Sequence, residues 1–196
     1  MLVVVLVVFM AVIVALDDDD DVASPSSRQP AAGAGQRPTL ADHWHAAYGI
    51  YVCDGWLAPL TDVGPDETGI HTHTDGIAHI HPFSARYTGA NATWEVFGRT
   101  AGLSFGDGAI GIDEVGRTFV DGDDCDGEPA SWHLVRYQPD NSSEPVEVIT
   151  GDLGNTRFEA NRQAFTLAFV PDSVDPVSLG MPESVPFLDR LSDVPN

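Results

Sequence analysis

The chain predicts an α+β domain, predominantly antiparallel β with one short helix, behind an N-terminal transmembrane helix. Three observations carry that reading. Runs with strand-like patterning recur at 45–53, 69–83, 131–137, 146–150 and 164–170, and Gly, Pro, Asp and Asn clusters separate them. Only 91–100 reads as helical, and the first sixteen residues are uninterruptedly apolar. With 196 residues, 43% of them hydrophobic, the chain can build one compact core once its ends are set aside.

The elements follow in order. Met1 to Leu16 belongs in a membrane, although as a helix it spans only about 24 Å of the roughly 30 Å hydrocarbon layer. No basic flank precedes it, and Asp17 to Asp21 follow at once. A cleaved signal peptide is the alternative. Ile13 and Ala15 fit a small-x-small cleavage site poorly, and Ser24 is followed by Pro25, so a retained single-pass anchor is expected. The body then lies outside the cytoplasm. Residues 17–40 are acidic, then rich in Ser, Pro, Gly, Ala and Gln, and read as a disordered stalk. The β-rich domain is expected over 41–185, with 186–196 a tail that packs in part through Val185, Phe187 and Leu188.

Formal net charge is -21, and all nine basic residues are arginine. Nucleic acid is excluded as an expected partner, because binding phosphates needs a positive surface. Divalent cations are electrostatically favoured.

The segment 45–53 reads as a strand with Tyr48, Ile50 and Val52 on one side and His45, Tyr51 and Cys53 on the other. Asp42, His43 and His45 open it. The richest stretch follows: His71, His73, His79 and His81 fall within eleven residues, as two His-x-His pairs around an Asp75-Gly76 turn. One-apart spacing on a strand sends both rings of a pair to one face, and neutral imidazole is the side chain that transition metals use most. Register decides whether the pairs meet. A two-residue loop Asp75-Gly76 would split them between faces. A three-residue loop, Thr74 to Gly76 with Gly76 left-handed, sets His71 opposite His79 and leaves Ile70, Thr72, Ala78 and Ile80 on the other face. Pattern and burial agree in the second register, which is therefore expected. His71, His73, His79 and His81 are the candidate metal ligands, with His43, His45, Asp42 and Asp75 as possible additions. Hydrogen-bonded histidines that merely fix loops are the plain alternative.

Beyond the hairpin, 91–100 is a short helix with Asn91 as its N-cap and Trp94 and Phe97 three apart, weakened by Gly98. Residues 103–105 and 109–112 flank a Gly106-Asp107-Gly108 turn and form a small hairpin. The acidic loop 121–128 lacks the ligand order of a calcium-binding EF-hand and reads as solvated. His133, alone among large apolar neighbours, reads as a packing residue. Cys53 and Cys125, the only cysteines, suit one disulfide in an oxidising compartment, with ligation and two free thiols as the alternatives.

The strings WHAAYGIYVCDGWL and GIHTHTDGIAHIHPF resemble an uncharacterised group of actinobacterial membrane-anchored extracytoplasmic proteins with a paired His-x-His hairpin. The resemblance covers mainly 42–83, and that group has glycine where this chain has Thr74. It implies an anchored, exported protein and no particular activity.

Three functions compete. The first is an extracytoplasmic, membrane-anchored protein that captures or senses zinc, copper or nickel without catalysis. The second is a metal-dependent enzyme, a hydrolase, hydratase or cupin-like oxygenase, with three histidines and a water on the ion. No Gly-x-Ser-x-Gly occurs, and Ile77 stands where a cupin would carry glutamate. The third is a metal-free interaction domain of the cell envelope, whose protein partner the sequence leaves unknown.

Overall fold

The computed structural model describes residues 37–138 and 143–192. The expected anchor at 1–16 and most of the stalk lie outside them. Among the described residues no helix is long and apolar enough to cross a membrane.

The first strand, β1, covers Trp44–Val52, and the short β2 (Gly55–Trp56) folds back on it. The hairpin strands are β3 (Ile70–His71) and β4 (Ile77–Ile80). Helix α1 spans Trp94–Ala101, and β5 (Leu103–Gly106), β6 (Ala109–Ile112) and β7 (Arg117–Val120) form a three-stranded sheet after it. Then come β8 (Asp124–Cys125), β9 (Glu128–Tyr137), β10 (Pro145–Ile149) and β11 (Ala164–Pro171). The large sheet runs β10-β9-β11-β1-β4-β3, with β2 paired to β1 and β8 to β9. Among the described residues only β1 and β11 pair in parallel, and every other ladder is antiparallel. The described body is thus α+β, rich in antiparallel sheet.

Alternation along β1 explains how both faces of this sheet are used. Trp44, Ala46, Tyr48 and Ile50 enter the main core with Ile70, Ala78, Ile80, Leu134, Phe165, Leu167 and Phe169. Helix α1 and the small sheet close that core. Trp94, fully buried, meets Tyr48, Phe97 and Phe165 edge-on and stacks on Phe158. Burial of this size is worth about 3–5 kcal/mol against truncation to alanine. On the opposite face, Ala47, Ile77, Val135, Tyr137 and Ala164 are covered by Val185 and Leu188.

Three local expectations are corrected. Thr93, not Asn91, caps α1: its hydroxyl accepts from Val96 N at 3.4 Å, while Asn91 ends a separate 3-10 turn. Gly98 does not weaken the helix without return, because a β-carbon there would lie 2.8 Å from the Leu103 carbonyl oxygen and the chain's return into β5 needs that room. Phe187 is exposed. Its segment, Val185–Arg190, is a 3-10 helix, in which residues three apart share an edge, so Val185 and Leu188 are the pair that is buried. Cys53 and Cys125 form a disulfide that ties the end of β1 to β8.

Candidate metal centre

The hairpin pairs Ile70 with Ile80 and His71 with His79, which is the register of the three-residue loop. Gly76 lies at φ +72°, and Thr74 is also left-handed at φ +65°. Space as well as backbone conformation requires glycine at two points of this element. A β-carbon on Gly69 would fall 2.3 Å from the His81 carbonyl oxygen, and one on Gly76 2.8 Å from the Ser184 β-carbon. Pairing continues past β3, since His81 N donates to Gly69 O at 2.7 Å and Phe83 N to Thr68 O at 3.0 Å. From the core side, Thr100 Oγ1 donates to Ile70 O at 2.7 Å, and the Tyr48 and Thr72 hydroxyls lie 3.0 Å apart. Burial pushes the Tyr48 phenol up to about 12, so it stays neutral.

The decisive feature comes from β1, which lies beside β4 with His45 paired to His79 and Trp44 to Ile80. Three His-x-His pairs therefore share one face of three adjacent strands. Six of the seven histidines meet there. Their rings close a circuit: His43 to His45 is 5.0 Å between centroids, His45 to His79 5.0 Å, and His79 to His73 4.7 Å. It returns from His73 to His71 at 4.6 Å, His71 to His81 at 4.8 Å and His81 to His43 at 5.0 Å. His71 and His79 stack across the circuit at 5.6 Å. Burial is graded: His45, His71 and His79, the row nearest the covered part of the sheet, are buried, His43 and His81 are half-buried and His73 is exposed.

Within the circuit, His43, His45 and His79 each bring a ring nitrogen within 4.8 Å of the other two, and this group can hold a metal ion. Ligand nitrogens at 2.0–2.1 Å on a tetrahedral ion stand roughly 3.3 Å apart, so a closing of about 1.5 Å completes the site. On the other side, His71 Nε2 and His73 Nε2 are already 3.0 Å apart. The four hairpin histidines expected as ligands are thus divided: His79 belongs to the three-ring group, His71 and His73 make the close pair, and His81 stands beside His71 and His43.

Carboxylates back the rings. Asp66 Oδ1 accepts from Thr68 N and Gly69 N at 2.9 and 2.8 Å, and its Oδ2 lies 2.7 Å from His71 Nδ1. That last contact is off the line of a straight hydrogen bond. Asp75 Oδ2 lies 3.0 Å from His79 Nε2, while its Oδ1 accepts from Ile77 N. Asp62 accepts from Thr72 N at 3.1 Å. Burial raises the carboxyls of Asp66 and Asp75, but the amide donors and the neighbouring histidines outweigh it and hold both below the ordinary 3.8. Burial also lowers His71 and His81, helped in each case by neighbouring histidines. Both therefore favour the neutral ring that a metal requires. Asp42 is engaged elsewhere: its carboxylate binds the Arg37 guanidinium and the amide and hydroxyl of Thr39.

Asp62 and Asp66 are absent from the sequence-based candidates. Asp66-Glu67-Thr68-Gly69 is a recognisable Asx-turn pattern just before the hairpin and was the available signal. His133, two strands from the histidine-bearing end of β1, contacts Ser131 O through Nδ1 at 3.1 Å and lies outside the circuit. Comparison with protein-family models, with curated proteins and with solved structures gives no match.

Proposed function

We propose that this chain is a membrane-anchored extracytoplasmic protein that binds a divalent transition metal, in a capture or sensing role without catalysis. One observation supports the metal above all: His43, His45 and His79 converge within 4.8 Å on a sheet face that carries three further imidazoles. An all-imidazole donor set without thiolate or thioether suits zinc, copper(II) or nickel rather than copper(I). The disulfide fits an oxidising compartment, and the apolar run 1–16 supplies the anchor in this reading. The same three-nitrogen group would leave a coordination position for water, so a metal-dependent enzyme is the second reading, with Asp75 beside His79 as the proton-handling carboxylate.

Elemental analysis of the untagged chain, before and after addition of zinc, copper and nickel, tests the proposal. At least one equivalent that survives gel filtration is expected. Less than a tenth of an equivalent with every metal would leave only a metal-free interaction domain.

A further inference from the structure

Building on the metal-binding reading, we propose that the histidine face holds two divalent ions side by side, the first on His43, His45 and His79 and the second on His71 and His73 with His81 in reach. The division is geometric. Six imidazoles exceed what one tetrahedral ion takes, and four would already close its shell. The circuit separates into the three-ring group within 4.8 Å and a pair whose Nε2 atoms stand 3.0 Å apart. That second distance is near the roughly 3.3 Å expected for two nitrogens on one ion. Without metal, two ring nitrogens so close must share a proton, and an ion takes the place of that proton.

Each half also carries its own carboxylate at a ring nitrogen, the arrangement that orients metal-ligating histidines and raises their basicity. Asp66 stands at His71 Nδ1, which leaves Nε2 to the ion; Asp75 stands at His79 Nε2, which leaves Nδ1. With Asp62 at Thr72 N, three carboxylates surround the face and offset the repulsion between two doubly charged neighbours. His71 stacked on His79 is the seam between the halves. His73, exposed, is the entry to the second position, whereas the first is deeper.

The test is a copper(II) titration of the untagged full-length chain, in detergent, read by elemental analysis and electron paramagnetic resonance. Two bound equivalents are expected. The first should give an isolated-spin signal, and the second should broaden it through spin-spin coupling. His73→Ala, at an exposed position, should remove the second bound equivalent and leave the first unchanged. His43→Ala should do the reverse. A single equivalent in the unmodified chain, lost with His43→Ala and kept with His73→Ala, would overturn the second ion and leave the three-histidine reading intact. Two uncoupled spins would also overturn it. No bound copper at all would overturn the paired site, and no bound zinc or nickel either would overturn both readings.

Discussion

Thr74 carries a cost that its neighbours do not. At φ +65° a residue with a β-carbon pays about 1–2 kcal/mol that glycine avoids, partly offset by the larger entropy a glycine loses on folding, about 0.5–1 kcal/mol. Thr74→Gly is expected to stabilise the metal-free chain by up to about 1.5 kcal/mol in urea denaturation. Protonation is the second matter at this scale. His71 and His81 titrate below the ordinary 6.5 in the folded chain, so the unfolded chain takes up these protons first as pH falls. Metal-free stability should therefore decline from about pH 6.5 downward and level off below the folded-state values. Asp66 and Asp75, held below 3.8, add stability that is complete above that pH and disappears as pH falls through their folded values. A denaturation series from pH 8 to pH 3 checks both signs; stability rising between pH 6.5 and 5 would contradict the first. Asp66→Asn should weaken metal binding about 10- to 100-fold in a competition titration, through His71 rather than by loss of a ligand.

Among elements, the hairpin was the most legible in the sequence. Strict alternation of histidine with Ile70, Thr72, Ala78 and Ile80 leaves only one register that buries the apolar face, and that register is the one formed. What the sequence could not announce was β1 as the neighbour of β4. That pairing joins residues 44–47 to 77–80 across a loop without periodic pattern, and it turns His43 and His45 from possible additions into two of the three members of the convergent set. Strand β7, with Arg117, Thr118 and Val120 exposed and Phe119 alone buried, has too little apolar pattern to be seen in isolation. Helix α1 holds the edge strand through the Thr100 hydroxyl on Ile70 O. Thr100→Val removes that donor while the Thr68 hydroxyl still donates to Ile70 O at 3.1 Å, and should cost about 0.5–1.5 kcal/mol. Faster amide exchange in 69–72 than in 164–170 would accompany it; equal acceleration in both would show that the tie is not local.

At the scale of the whole molecule, two cross-connections act on the same body. The disulfide links residues 72 apart, and in the chain-entropy account a loop of that length is worth about 4 kcal/mol. Reduction should lower stability by an amount of this order, with the histidine face, remote from β8 in the sheet, still able to take up metal. Metal bound as proposed would act by mass action instead, and at 100 times its dissociation constant would stabilise by about 2.7 kcal/mol. A chelator should reverse the resulting rise in melting temperature and leave the effect of reduction untouched. The graded exposure of the six rings carries a practical corollary as well. Folded chain without any tag should stay on immobilised nickel resin and require more competing imidazole for elution than the same chain in urea, where nothing but neighbours in sequence keeps one ring near another. Chromatography would then report, within an afternoon, whether three separate stretches of polypeptide have come together.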